Sequence, residues 1–321
     1  MNYRVKIILA LVCMPMFVPA QQKTASKPSF TVIPLGVKGG SDESNLSAYM
    51  VAAGGSSAYV CLDAGTLHHG IQKAIAAGLF RGSVNRVLKN NIKGYLISHP
   101  HLDHVAGLII NSPEDTVKNI YALPFCAEIL KEKYFSWKSW ANFADDGEKP
   151  LLNKYHYKIL QPGEETALEQ TPLRVTPFTL SHSNPYKSTA FLVNNGEAYL
   201  LYLGDTGADT VEQAGNLHLL WTRVAPLLRE KKLKAIFIEV SFDNAQPEKL
   251  LFGHLTPRLL LQEMDALGNL AGKASMKNFP VIITHRKPGG EREQLIKKQL
   301  LQSNTALLKL MFPVQGQQMI F

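Results

Sequence analysis

Apolar and polar positions follow two periodicities along most of the chain, and the change from one to the other marks predicted strands and helices. Short apolar runs rich in branched and aromatic side chains predict strands, and apolar residues spaced three and four apart predict helices. The predicted strands are 30–33, 48–53, 58–62, 94–98, 173–180, 189–193, 199–204, 235–240 and 281–284. The predicted helices are 67–79, 211–233, 256–267 and 291–301. Because strands and helices are interleaved, the pattern predicts a mixed α/β fold.

We expect one domain from residue 29 to residue 321, because no segment rich in proline, glycine or serine divides this part of the chain. A composition of 45% hydrophobic and 19% charged residues is that of a globular protein and excludes a disordered one. The one long apolar run lies at the N-terminus, which excludes a polytopic membrane protein.

Residues 1–20 have the pattern of a secretory signal peptide. Arg4 and Lys6 precede an apolar stretch at 7–17, and Ala20 supplies the small residue that signal peptidase requires. The apolar stretch is too short to span a bilayer. We therefore predict an exported, periplasmic protein with no membrane attachment after cleavage; a retained anchor or a cytoplasmic start is the alternative.

The net charge of the chain limits the kinds of molecule that it is expected to bind. A formal net charge of +8, spread over 321 residues without a basic arm, suits anionic small molecules and predicts no nucleic-acid partner.

The three cysteines cannot form a disulfide scaffold. Loss of residues 1–20 would leave Cys61 and Cys126, which either form one disulfide or are buried as small apolar residues. The alternating pattern at 57–62 favours burial.

The candidate chemistry lies in the segment His99-Pro100-His101-Leu102-Asp103-His104. It follows the predicted strand at 94–98, and residues two apart in extended chain point to the same side, so His99 and His101 can bind one cation. Asp103 and His104 come at the start of the next helix and point to a neighbouring position. The segment therefore predicts two metal ions about 3.5 Å apart, the spacing used in two-metal hydrolysis.

Four ligands cannot complete two coordination spheres, and three further candidates each end a predicted strand: His182, Asp205 and His285. Strand ends are where open α/β sheets place ligand sites. Each residue alone would be an ordinary polar residue at the end of a strand, but as a set they support one another. Imidazole and carboxylate ligands without a thiolate favour Zn²⁺, with Mn²⁺ or Fe as substitutes.

In this order, the motif and the later histidines and aspartate resemble the metallo-β-lactamase superfamily. Within it, five blocks resemble class II cyclic-nucleotide phosphodiesterases: HPHLDHVAGLIINSP at 99–113, GDT at 204–206, IEVSF at 238–242, LFGHLTP at 251–257 and ITHRKP at 283–288. The resemblance implies a single-domain, four-layer αββα sandwich of two β-sheets, with a dinuclear site at one edge. It also implies hydrolysis of 3′,5′-cyclic nucleotides to 5′-nucleotides, with cAMP as substrate and cGMP left open.

Carried over residue by residue, the family pattern assigns His99, His101 and His182 to one divalent ion, Asp103, His104 and His285 to the other, and Asp205 to both. The resemblance thus implies two metal ions and a small cyclic-nucleotide partner. A water bridging the ions would be acidified to hydroxide and attack phosphorus, and Asp103 could accept a hydrogen bond from it.

His254 is the candidate acid that protonates the leaving ribose oxygen. It follows Glu239 in a pairing similar to that of tRNA 3′-processing endonucleases of the same superfamily, and a carboxylate beside an imidazole favours the charged imidazole. The alternative makes His254 part of the cap of the helix at 256 and Glu239 a surface charge at the end of a strand. Asn45, in a glycine-containing segment at 36–47, is a candidate substrate contact.

Two other functions stay open on the sequence. One is another hydrolase of this fold, such as an RNA-processing nuclease or a lactonase, although export and the modest charge argue against a nuclease. The other is a metal-free binding protein that kept the fold, against which the intact set of seven ligands argues. The sequence is compatible with a homodimer.

Overall fold

The computed structural model describes residue 1 and residues 28–321, so the predicted signal peptide at 1–20, apart from its first residue, lies outside the described residues. The strands are β1 (Phe30–Gly36), β2 (Ala48–Ala53), β3 (Tyr59–Leu62), β4 (Ile92–Leu96), β5 (Lys118–Ala122), β6 (Tyr155–Ile159), β7 (Thr166–Ala167), β8 (Arg174–Ser181), β9 (Lys187–Asn194), β10 (Tyr199–Leu203), β11 (Leu233–Glu239), β12 (Pro280–Thr284), β13 (Lys309–Met311) and β14 (Met319–Ile320). The α-helices are α1 (His68–Ala76), α2 (Val84–Asn90), α3 (Leu102–Asn111), α4 (Pro124–Ile129), α5 (Asp209–Glu212), α6 (Asn216–Arg229), α7 (Pro257–Ala271) and α8 (Gly290–Gln302).

The strands form two seven-stranded mixed sheets within the described part of the chain. The first has the order β14-β1-β2-β3-β4-β5-β6, and the second has the order β13-β12-β11-β10-β9-β8-β7. Strands β3 to β6 run parallel in the first sheet, and strands β10 to β13 run parallel in the second. Because parallel strands carry their carboxyl ends to the same edge, the residues that follow β4, β10 and β12 can meet there.

Three apolar clusters separate four layers. One cluster joins the inner faces of the two sheets and includes the buried rings of Tyr49, Tyr202 and Phe237. The other two pack helices on the outer faces, with α1 to α4 on the first sheet and α6 to α8 on the second. The predicted four-layer αββα sandwich is therefore confirmed.

Burial on both faces explains why the strands are continuous apolar runs. Every residue of β1 is buried, and so are four of the five residues of β12. A sheet that is covered on both sides has no solvent face to fill with polar residues, so the alternation typical of half-exposed strands is lost. The predicted strands at 48–53 and 58–62 are present as β2 and β3, and they pair antiparallel on either side of Gly54-Gly55.

The single helix predicted over 211–233 is wrong. The structure has two helices there, α5 and α6, and β11 begins at Leu233. Between the helices, Gln213 and Gly215 adopt left-handed φ angles of 53° and 70°, which a continuous helix cannot contain. Apolar spacing did not reveal the break because residues on both sides of it pack into the same outer cluster.

Two findings concern the cysteines and membrane attachment. Cys61 in β3 and Cys126 in α4 are both buried and carry free thiols in the structure as described. This agrees with the prediction that Cys61 is buried as a small apolar residue. Among the described residues, no helix has the length and apolar character needed to cross a membrane.

Candidate metal centre

The first group of metal-ligating side chains gathers around His101. The chain leaves β4 at Leu96 and bends at Ser98, His101 is extended, and α3 begins at Leu102. His99 Nε2 lies 3.1 Å from His101 Nδ1, so both rings point to one place, as their spacing predicts. His182, which follows β8 in the second sheet, brings its Nε2 within 3.3 Å of the same His101 nitrogen. Three ring nitrogens, from both sheets, therefore converge.

The second group lies at the start of α3. Asp103 and His104 occupy its first turn and face His285, which follows β12. His285 Nε2 is 3.0 Å from Asp103 Oδ2, and the rings of His104 and His285 stack with their centroids 5.0 Å apart. The backbone N–H of Gly40 donates to Asp103 Oδ2 at 2.7 Å, which fixes the carboxylate. These three side chains can also share one cation.

Asp205 lies between the two groups. Its Oδ1 is 3.3 Å from His104 Nε2, and its Oδ2 is 3.2 Å from His285 Nε2. The same Oδ2 lies 3.7 Å from His99 Nε2 and 3.9 Å from His182 Nε2. One carboxylate therefore reaches ring nitrogens of both groups, which is the placement that a ligand shared by two ions requires.

His99, His101 and Asp205 are in the protonation states that metal ions require. Burial lowers the pKa of His99 well below its usual value and lowers the pKa of His101 to about 4, so both imidazoles keep a free lone pair at neutral pH. Burial raises the pKa of Asp205, but His285 and His104 outweigh it and hold this pKa well below its usual value. Neutral imidazoles beside ionised carboxylates are the ligand forms that bind divalent metals.

His104 gives the clearest sign that a cation belongs here. Its Nε2 is buried and has no hydrogen-bond partner among the described residues, although Asp205 lies close. Burial opposes a positive charge on His104, but Asp205 and Asp63 raise its pKa well above the usual value. A buried nitrogen without a partner, at a place where carboxylates favour positive charge, fits a divalent metal ion. The residues at this edge can therefore hold divalent metal.

Asp63 is not among the site residues predicted from the sequence, but it supports the candidate metal centre through a hydrogen bond with His104. Its Oδ2 accepts a hydrogen bond from His104 Nδ1 at 2.7 Å and from the hydroxyl of Tyr202 at 2.7 Å. Its Oδ1 accepts from the Ser98 N–H at 2.7 Å. The bond to Nδ1 leaves His104 Nε2 to face the ligand cluster. A signal was available in the sequence, because Asp63 ends a strand as His182 does.

Glu239 and His254 form a buried pair beside the cluster. His254 Nδ1 lies 2.7 Å from Glu239 Oε1, and Ser241 Oγ donates to Glu239 Oε2 at 2.5 Å. Ser241 Oγ also lies 3.0 Å from His285 Nδ1, so one hydroxyl connects the pair to a candidate ligand. Because Glu239 is fully buried, the alternative of a surface charge at this position is wrong.

The protonation of this pair differs from the sequence-based expectation. The sequence predicts that Glu239 keeps His254 charged, but burial lowers the pKa of His254 to about 4. Burial, followed by the negative charge of Asp205, raises the pKa of Glu239 to about 7. Loss of water around both groups thus outweighs their mutual attraction. Since they are in direct contact, the proton held at neutral pH belongs to the pair rather than to one residue.

Two candidate residues have contacts that bear on their predicted roles. His182, Asp205 and His254 lie close enough to share a cation, so position alone would also allow His254 to be a ligand.

Asn45 makes local contacts, since its Oδ1 accepts a hydrogen bond from the Val37 N–H at 3.0 Å and closes the loop between β1 and β2. The structure therefore shows Asn45 as a residue that shapes this loop.

A sandwich of two mixed sheets with histidines and aspartates gathered at one edge defines a class of protein, the metallo-β-lactamase fold. The solved structure of the metallo-beta-lactamase fold protein YhfI from Bacillus subtilis is similar to this chain, with a TM-score of 0.61 and 15% sequence identity, over 91% of this chain and 99% of that one. Unliganded yeast PDE1 is similar with a TM-score of 0.80 and 22% identity, over 92% of this chain and 100% of that one.

Sequence similarity identifies the family within this class. Residues 83–307 match the family described as cAMP phosphodiesterases class-II, and this range contains all seven candidate ligands. A protein of Aliivibrio fischeri named 3′,5′-cyclic-nucleotide phosphodiesterase is 39% identical, over 99% of this chain and 100% of the relative. The chain therefore belongs to the class II cAMP phosphodiesterase family, which confirms the resemblance drawn from its motifs.

Proposed function

We propose that this protein hydrolyses 3′,5′-cyclic nucleotides to 5′-nucleotides at the metal centre. The observation that carries the proposal is the meeting of two ligand groups about Asp205, in a chain of the class II family. In the reaction, one water adds to phosphorus, the bond between phosphorus and O3′ breaks, and O3′ takes up one proton. The name of the Aliivibrio fischeri relative supports this choice of substrate class.

Two divalent ions would occupy the centre, with Zn²⁺ favoured and Mn²⁺ or Fe as substitutes, because the ligands are imidazoles and carboxylates. The proposed ligands are His99, His101 and His182 for one ion, Asp103, His104 and His285 for the other, and Asp205 for both. Ions bound there would neutralise charge on the phosphoryl oxygens and lower the pKa of water. Asp63 would keep Nε2 of His104 free for the metal.

The remaining side chains handle protons. Asp103 would accept a hydrogen bond from the attacking water and hold it toward phosphorus. His254 would donate a proton to O3′, since the pair that it forms with Glu239 retains one proton up to about pH 7. Ser241, which donates to Glu239, would keep the carboxylate oriented toward the imidazole.

The proposal also covers where the protein acts and which residues form its catalytic domain. Export to the periplasm after removal of residues 1–20 is supported by the N-terminal pattern alone. Residues 29–321 would act as one domain on a small cyclic nucleotide, without nucleic acid and without membrane attachment, and a homodimer is compatible with this function. Mass spectrometry of the exported protein should find Gln21 as its first residue; retention of Arg4 and Lys6 would contradict export by cleavage.

One experiment tests the proposed function. Protein loaded with Zn²⁺ is incubated separately with 3′,5′-cAMP, 3′,5′-cGMP, 2′,3′-cAMP and a short RNA, and the products are separated by chromatography. We expect 5′-AMP from 3′,5′-cAMP and an intact RNA. Cleavage of the RNA without turnover of either 3′,5′-cyclic nucleotide would favour a nuclease and contradict the proposal. Formation of 3′-AMP would contradict only the predicted direction of bond cleavage.

A further inference from the structure

Lys287 lies beside the candidate metal centre, is not a proposed ligand, and carries an ammonium group without a polar partner in the described part of the chain. It follows the candidate ligand His285 by two residues and is half-buried. Within the described residues its Nζ has neither an ion-pair nor a hydrogen-bond partner. The neighbouring Lys38 differs in this respect, because it pairs with Glu293. Lys287 is therefore a half-buried residue whose positive charge has no counter-ion among the described residues, and its Nζ is open to solvent.

The ammonium lies over the turn formed by Gly39 and Gly40. A Cβ built on Gly40 would be 3.6 Å from Lys287 Nζ, and the Gly40 N–H donates to Asp103 Oδ2 at 2.7 Å. Lys287 is also close enough to His254 to affect it: burial is the main cause that lowers the pKa of His254, and the charge of Lys287 lowers it further. Lys287 thus lies near both side chains to which we assign proton handling.

Asp103 does not neutralise this ammonium. Its Oδ2 already contacts His285 Nε2 at 3.0 Å as well as the Gly40 N–H, and no ion pair joins Asp103 to Lys287 in the described structure. Around the position of a Cβ on Gly40, only atoms of Lys287 lie within 4 Å, so the turn leaves open space beside the ammonium. An anion in this space could form a charge-assisted hydrogen bond with an ammonium that has no other partner within the described chain.

We propose that Lys287 binds a non-bridging phosphoryl oxygen of the cyclic nucleotide and of its 5′-nucleotide product. The inference rests on the proposed function, which supplies an anionic phosphodiester at this edge of the sheets. Lysine is a compact positive charge that binds phosphate without demanding a two-pronged geometry. Such a charge also stabilises the negative charge that builds on the phosphoryl oxygens during attack. Lys287 transfers no proton and makes or breaks no covalent bond.

The test compares Lys287→Ala and Lys287→Met with the control Lys298→Ala, which removes an exposed lysine of α8. Metal-loaded proteins are titrated by calorimetry with 5′-AMP and with adenosine, and kcat/KM is measured for 3′,5′-cAMP. Both Lys287 variants should bind 5′-AMP about 10- to 100-fold more weakly, the usual loss for a hydrogen bond to a charged group. Binding of adenosine should not change, kcat/KM should fall by a similar factor, and Lys287→Arg should restore part of each loss.

Each outcome decides the inference separately from the proposed function. If Lys287→Met keeps its metal and binds 5′-AMP as the wild type does, the phosphate contact is wrong. An equal loss of adenosine binding would also overturn it, because the effect would then not depend on the phosphate. If the wild type turns over no cyclic nucleotide, the proposed function fails. Calorimetry would still decide whether Lys287 recognises phosphate, because it requires no turnover.

Discussion

Gly39 lies so close to the ring of His285 that no side chain fits between them. A Cβ built on Gly39 would lie 2.2 Å from Cε1 and 2.5 Å from Nε2 of His285. The Gly39 N–H also donates to the carbonyl of Arg286 at 3.2 Å, so the two segments are joined through their backbones. The position of His285 therefore depends on the missing side chain of a residue that binds no metal.

Gly39→Ala should displace His285 and weaken the metal centre. We expect kcat for 3′,5′-cAMP to fall about 100-fold, because a shift of about 1 Å in a reacting group has that effect. Gly290→Ala is the control, since a Cβ at that position meets nothing within 4 Å. Wild-type activity and metal content in Gly39→Ala would show that the ring can move without consequence.

Asp63→Asn should weaken metal binding although Asp63 is not a proposed ligand. The new amide N–H would donate to His104 Nδ1, so the imidazole proton would move to Nε2 and block the metal. Loss of such an orienting partner lowers metal affinity about 10- to 100-fold. Competition with a chromophoric chelator measures this, and Asp146→Asn, at an exposed carboxylate paired with Lys131, is the control. Equal affinities in the two variants would contradict the role of Asp63.

Removal of metal should abolish activity and lower thermal stability. Purified protein should contain close to two ions per chain by elemental analysis, lose turnover to a chelator and regain it with Zn²⁺ or Mn²⁺. Asp205→Ala should be more damaging than His182→Ala, because Asp205 contacts both ligand groups. Full turnover in a metal-free preparation would exclude the proposed mechanism.

His254→Ala separates a proton donor from a metal ligand. As a donor, it should keep both ions and lose about 10²- to 10⁴-fold in turnover of 3′,5′-cAMP, the usual contribution of general acid catalysis. A p-nitrophenyl phosphodiester has a good leaving group and should be affected much less. Glu239→Gln should act in the same direction with a smaller loss, and His218→Ala, on the surface of α6, should change neither substrate. Loss of an ion from His254→Ala would instead make it a ligand.

The candidate ligands could be predicted because their chemistry depends on local chain geometry. His99 and His101 converge since an extended segment places alternate side chains on one side, and the start of α3 turns Asp103 and His104 away from them. His182, Asp205 and His285 could be found because parallel strands end at a common edge. The structure brings all seven residues together at this edge.

Features that depend on packing could not be predicted in this way. Whether Glu239 keeps His254 charged depends on how much water surrounds the pair, and the sequence does not contain that information. The break between α5 and α6 depends on the backbone conformation of Gln213, a residue that does not usually end a helix. Segment 113–170 adds β5, α4 and β6, for which no apolar pattern was recognised.

Each ligand group takes side chains from both sheets, and the two sheets are built mainly from different halves of the chain. His99 and His101 come from the first half, and His182 comes from the second; the same division separates Asp103 and His104 from His285. Neither half can assemble an ion site by itself. Bound metal would therefore show that the two sheets have packed together, and a newly synthesised chain would have no hydrolytic activity until its tertiary structure is complete.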